Sequence, residues 1–134
     1  MKLFQWTPDL EVGMGSIDQQ HKELFSRVND LLAAVVTDGG RDEVRRLLDF
    51  LADYMNKHFA SEEAFMKRFQ YPAAEQHYAQ HDDFRRRVTT LRALVEKQTP
   101  STMLVLSVRT QVCDWLVDHV AKVDKQLGEY VRFR

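Results

Sequence analysis

The chain has 134 residues and a mass of 15.7 kDa, enough for one domain with a real core and too little for two. Nineteen basic against twenty acidic side chains leave a net charge of −1, which argues against nucleic acid as a partner because phosphate binding needs a basic cluster. The lone cysteine, Cys113, excludes an internal disulfide and any multi-cysteine zinc or iron–sulfur site, and no apolar run reaches the ~20 residues of a membrane helix.

The N-terminal stretch MKLFQWTPDLEVG holds no apolar run ending in a small-residue cleavage site, so a soluble, cytoplasmic protein with no membrane partner is expected. Residues 1–15, with Pro8, Gly13 and Gly15, read as an irregular arm, which Phe4 and Trp6 would dock on the rest of the chain. Breaks at Asp38-Gly39-Gly40, Gln70-Tyr71-Pro72 and Gln98-Thr99-Pro100-Ser101 then separate four stretches with apolar residues at helical spacing. The first (about 17–37) carries Ile17, His21, Leu24, Val28, Leu31 and Val35, with Ser16 and Gln19 as a capping box. The second (about 42–68) carries Val44, Leu48, Leu51, Met55, His58, Glu62 and Phe65. The third (about 73–97) opens with Pro72 at a first-turn position and carries His77, His81, Phe84, Val88, Leu91 and Val95. The fourth (about 100–127), with Thr99 as cap and Pro100 as first residue, carries Leu104, Val108, Val112, Trp115, His119 and Val123. Four amphipathic helices with short links predict an all-α, antiparallel up-down-up-down bundle spanning residues 1–134 as a single domain.

All five histidines fall on these inward stripes, accompanied by Glu62 and Asp124. One such histidine is ordinarily a hydrogen-bonded core residue. Five at once, beside buried carboxylates that need pairing or a metal, are not. His58 and Glu62 are four apart, as are His77 and His81, so each pair shares a helix face one turn apart. His21 lies near the start of its helix, His58 and Glu62 near an end, His77 and His81 near a start, His119 and Asp124 near an end. In an up-down-up-down bundle those four places share one layer. The candidate metal ligands are therefore His21, His58, Glu62, His77, His81, His119 and Asp124.

Five imidazoles and two carboxylates exceed the four ligands of a structural zinc site and suit a pair of irons. If both carboxylates bridge, the protein offers nine donor atoms, and an oxo or hydroxo bridge adds one to each metal. Two octahedra need twelve, so one position stays open for a small molecule. His119 and Asp124 are five apart. They must straddle the inward face, or the helix must widen locally by one residue.

His21, His58-Phe-Ala-Ser-Glu62, His77-Tyr-Ala-Gln-His81 and His119-Val-Ala-Lys-Val-Asp124 together resemble the hemerythrin family, in its bacterial form (bacteriohemerythrin). Trp6, Gly13, Ile17-Asp18 and Gln20-His21 are similar to that family's entry motif, so the resemblance spans nearly the whole chain. It implies two non-haem iron ions with an oxo or hydroxo bridge and reversible binding of O2 at one of them. On that pattern His77, His81 and His119 hold the coordinatively full iron, His21 and His58 the iron with the open site, and Glu62 and Asp124 bridge. It also implies an apolar O2 pocket formed by Leu24, Phe59, Trp115, Leu116 and Val120, positions that equally serve ordinary packing.

The expected function is that of an oxygen carrier, store or delivery protein, a binder and not an enzyme, with O2 as its partner and NO or small anions as competitors for the open position. The alternatives are an O2, NO or redox sensor, and a di-iron enzyme acting on peroxide or NO. The oxygen-activating di-iron bundles rely on Glu-x-x-His pairs, and no glutamate stands three residues before a histidine here. Cys113 is expected to be an inert thiol and Arg85-Arg86-Arg87 a solvated run. No protein partner or oligomeric state is specified by the sequence.

Overall fold

The computed structural model describes residues 6–38, 40–97 and 101–133, which contain helices and no strand. Helix α1 spans Gly15–Asp38, α2 Arg41–Arg68 and α3 Ala74–Lys97. Helix α4 runs over residues 102–132 as a continuous rod, in which α-helical pieces alternate with two π turns, Arg109–Asp114 and His119–Asp124. Successive helices pack on one another across short links, as a bundle requires.

The ends of the helices differ in detail from expectation. Helix α1 starts at Gly15, so Ser16 and Gln19 lie inside its first turns and make no capping box. Asp18 organises this end instead: its carboxylate accepts hydrogen bonds from the Val12 N–H (2.8 Å) and the Gly13 N–H (3.2 Å). Gly13 sits at φ +85°, a left-handed conformation that a side chain would strain. Helix α2 ends in a Schellman arrangement, with Tyr71 N–H on Met66 C=O (3.0 Å) and Gln70 N–H on Lys67 C=O (3.3 Å). Gln70 takes the left-handed position at φ 51°. Pro72 lies in the turn before α3, which begins two residues later than a first-turn proline would place it. Ser101 caps α4, its hydroxyl accepting from Leu104 N–H at 3.2 Å. The expected cap Thr99, the expected first residue Pro100 and the docking residue Phe4 lie outside the described residues. Helix α4 also continues to Arg132, a turn past the expected end.

Two apolar clusters fill the interior. The larger includes Leu24, Val28, Leu51, Met55, Phe59, Phe84, Val88, Leu116 and Val120. The smaller joins Val12, Met14, Ile17, Met66 and Leu127, so the end of the arm docks there, while Leu10 belongs to the larger cluster and Trp6 packs against it. Lys125 Nζ holds the arm from outside by donating to Asp9 C=O at 2.9 Å, while Trp6 lies edge-on to Phe25. Each helix passes from one cluster to the other. Ile17 and Leu24 flank His21; Phe59 and Met66 flank Glu62; Ala74 and Phe84 flank His77 and His81; Val120 and Leu127 flank Asp124. The polar residues of all four helices thus occupy one layer between two apolar ones.

Candidate metal centre

All seven residues of this layer are buried to 2% exposure or less. Their donor atoms form two groups, each with every donor within 4.8 Å of the others: Glu62, His77, His81, His119 and Asp124 in one, His21, His58, Glu62 and Asp124 in the other. The carboxylates belong to both. Asp124 spans the two, with Oδ1 3.0 Å from His119 Nε2 and 3.1 Å from His77 Nε2, and Oδ2 3.1 Å from His21 Nε2. Glu62 Oε1 lies 3.3 Å from His81 Nε2 and 3.4 Å from His58 Nε2.

A π turn makes the Asp124 position possible. Five residues advance an ordinary α-helix by about 140° beyond a full turn, which would turn Asp124 off the face that carries His119. The widened turn over His119–Asp124 takes up the extra residue, so both side chains enter the layer. Of the two geometries open to this spacing, the helix adopts local widening.

The donor set fits a pair of metal ions. Two donors at right angles on one metal, with bonds of ~2.1 Å, stand ~3.0 Å apart, close to the nitrogen–oxygen separations found here. Hydrogen bonding does not account for the crowding. Nε2 of His77, His81 and His119 and both oxygens of Glu62 and of Asp124 are buried without a hydrogen-bond partner among the described residues, despite lying 3 to 4 Å from one another. Their lone pairs converge on shared points, not on each other. Isolated charges in so dry a place would be unfavourable by several kcal/mol each.

The electrostatics agree. Burial, reinforced by the neighbouring His77 and His119, holds His81 down at about 2, and burial likewise lowers His58, so both are neutral donors. Burial and then the Asp124 charge push Glu62 well above the usual carboxylate range. Burial acts on Asp124 in the same direction, but His119, Glu62 and His21 overcome it and hold that carboxyl low. The two carboxyls are thus driven in opposite directions, Glu62 toward its protonated form and Asp124 toward its ionised one.

Three histidines are aimed from behind. The Nδ1–H of His58 donates to Gln20 Oε1 (2.7 Å), that of His81 to Glu63 Oε2 (3.0 Å), and that of His119 to Gln80 Oε1 (3.0 Å). Each bond fixes the tautomer that leaves Nε2 with its lone pair facing the layer. Sequence reading assigned no such role to Gln20, Glu63 or Gln80. The sequence shows only that each adjoins a candidate ligand; the structure places each at the edge of its helix that faces the following one. His77 Nδ1 has no partner among the described residues, and His77 lines a cavity of about 80 Å³ with Gln76, Gln80 and Gln126.

Of the expected O2 pocket, Leu24, Phe59, Leu116 and Val120 are buried in the larger apolar cluster, and Trp115, partly buried, packs against it. Phe59 stacks on His81 with ring centroids 3.7 Å apart, and Trp115 on His119 at 4.7 Å. Cys113 is buried, and burial raises its thiol to about 12, as an inert thiol requires. The arginine run is not uniformly solvated. Arg86 is exposed, whereas Arg87 bonds the Gln111 carbonyl and Arg85 bonds Asn56 and Asp82 across the face of Phe59.

Residues 13–131 match the model of the hemerythrin HHE cation binding domain. A bacteriohemerythrin of Methylococcus capsulatus is 35% identical over 136 residues, 96% of each chain. Another, of Stenotrophomonas maltophilia, is 31% identical over 98% of this chain and 84% of its own. A crystal structure of wild-type hemerythrin superposes with a TM-score of 0.80 at 34% identity, over 97% of this chain and 98% of that one.

Proposed function

The chain belongs to the hemerythrin family, whose members bind O2 at a non-haem di-iron centre, and from that membership we propose that it is an oxygen carrier, store or delivery protein. The observation that carries this reading is the asymmetry of the donor groups. The group with His77, His81 and His119 has one histidine more than the group with His21 and His58, while both share Glu62 and Asp124. With metals bound, the open position would therefore fall on the His21 and His58 side. When bound, the two irons supply the electrons and the vacant position that hold O2.

The protein supplies position and dryness. Gln20, Glu63 and Gln80 fix three imidazoles in place. Leu24, Phe59, Leu116 and Val120 exclude water beside the centre, which favours release of O2 over irreversible oxidation. Glu62 and Asp124 each lie in both donor groups, so neither is left as a general base, and we read the protein as a binder in preference to an enzyme. The test is metal analysis paired with visible absorption, on protein reduced without air and then exposed to O2. Two irons per chain and a colour that appears with O2 and fades on its removal are expected. Direct passage to an oxidised form with no lasting oxygenated state would overturn the carrier reading in favour of a sensor or an enzyme.

A further inference from the structure

The outer partners of the histidines are not equivalent. Gln20 and Gln80 offer neutral amide oxygens to His58 and His119, whereas Glu63 offers a carboxylate to His81. Among the described residues, Glu63 is the only acid bonded to the outer nitrogen of a candidate ligand. It is also partly solvent-facing, with 31% of its side chain exposed. Arg85 stands behind it, with Nη2 3.8 Å from Glu63 Oε2. The same guanidinium lies over the ring of Phe59, 5.2 Å from its centroid, and Phe59 stacks nearly parallel on His81. Asn56 and Asp82 hold Arg85 in this place through Nε (3.1 Å) and Nη1 (3.0 Å). His81 is thus gripped through its edge by an anion and through its face by an aromatic ring, and both lead to one surface cation.

A carboxylate acceptor draws the Nδ1 proton of an imidazole and makes Nε2 a stronger donor, which favours the more highly charged metal. A cation beside that carboxylate withdraws part of this effect. We propose that Glu63 is a positioning residue that makes His81 the strongest histidine donor of the centre, and that Arg85 is the surface counter-charge that sets how much of this reaches the metal. The Glu63–Arg85 pair is then a control on redox balance that lies outside the ligands and outside the O2 pocket. The proposal rests on the di-iron reading of the layer, but not on O2 binding.

The test is anaerobic redox titration of the iron-loaded protein and of Glu63→Gln, Arg85→Gln and Glu96→Gln. Glu96 pairs with Arg45, outside the layer, and serves as the control. Glu63→Gln should raise the midpoint potential and Arg85→Gln should lower it. Each shift should correspond to a change of up to about tenfold in the ferric-to-ferrous ratio, about 59 mV per electron. Opposite signs, both beyond the control, are the expected result. A merely structural loosening would move both variants the same way, and that pattern, or a shift no larger than the control's, overturns the proposal. Should a variant fail to take up iron, the Zn(II)-loaded wild-type protein decides: the His81 Nδ1 proton should resonate downfield of those of His58 and His119, and a position at or upfield of theirs overturns it. Neither readout involves O2, so a protein that failed as an oxygen carrier could still pass or fail here.

Discussion

His119 combines three constraints in one side chain. Its Nε2 lies 3.0 Å from Asp124 Oδ1, its Nδ1 bonds Gln80, and its ring stacks on Trp115. His119→Ala should therefore leave iron below two per chain after reconstitution, a loss beyond the roughly 10–100-fold weakening typical of an outer-shell change. Full occupancy by metal analysis would remove His119 from the ligand set. Leu116 touches the question from the other side. It is buried in the apolar cluster next to Trp115 and supplies bulk but no donor. Leu116→Ala should keep both irons and autoxidise faster, by roughly fivefold if the water admitted takes about 1 kcal/mol off the barrier. An unchanged decay of the oxygenated spectrum would show that Leu116 does not exclude water. Six of the seven polar residues were legible because chemistry and periodicity coincide on them, whereas Asp124, five residues from His119, stood off the helical period and was legible as a carboxylate beside the stripe. Gln20, Glu63 and Gln80 were not, because an amide or carboxylate at a helix edge reads as solvated surface until the neighbouring helix is in place.

The four helices were legible from stripes of apolar residues, which fix the buried faces whatever happens at the ends. Their ends were less so. Ser16 and Gln19 have the spacing of a capping box, yet Asp18 takes the free N–H groups of the arm, because its carboxylate is a charged acceptor and theirs are not. The π turn at His119–Asp124 was one of two geometries that the five-residue spacing permits. The other, at Arg109–Asp114, had no signal, since no ligand pair brackets it. Helix α4 also carries the seat of the arm. A Cβ on Gly128 would run into the Val12 carbonyl and stand 3.0 Å from Val12 Cβ. Gly128→Ala should lift the arm by overpacking, a loss of about 1–3 kcal/mol that lowers Tm by roughly 3–10 °C. Iron content should stay unchanged, because every candidate ligand lies on α1 to α4. A wild-type Tm, together with wild-type resistance of the arm to protease, would show that Val12 does not pack on this glycine.

At the scale of the whole molecule, a polar layer divides the apolar core in two, and that layer is stable only if something joins its donors. Sequence predicted the layer from the order start, end, start, end along the chain, and the bundle brings those places together. The charge balance inside it was not legible, since the coupling of Glu62 to Asp124 depends on distances that only the packed helices set. That coupling gives the apoprotein a definite response to pH. The folded Glu62 carboxyl titrates above its unfolded value, so the stability it contributes is present below the ordinary carboxylate range and is lost as pH rises through the raised pKa. Asp124 titrates below its unfolded value, so its contribution is present above the ordinary range and is lost as pH falls through the lowered pKa. His58 and His81 titrate below their unfolded values, so the empty layer also loses stability as pH falls below the ordinary histidine range, and the apoprotein should be most stable near that range. The loaded protein should differ, because donors must be free of protons before they bind metal. His58 and His81 are held neutral by burial, whereas Glu62, held above the usual carboxylate range, is a group that must give up its proton. Titration of the apoprotein with a divalent metal, in buffers of different ionisation enthalpy, should then show a net release of protons. The rise in Tm on loading should also be larger at pH 8 than at pH 5. Uptake with no proton released would mean that both carboxylates are already ionised in the empty layer, and the two apolar clusters would then be holding apart an uncompensated pair of charges.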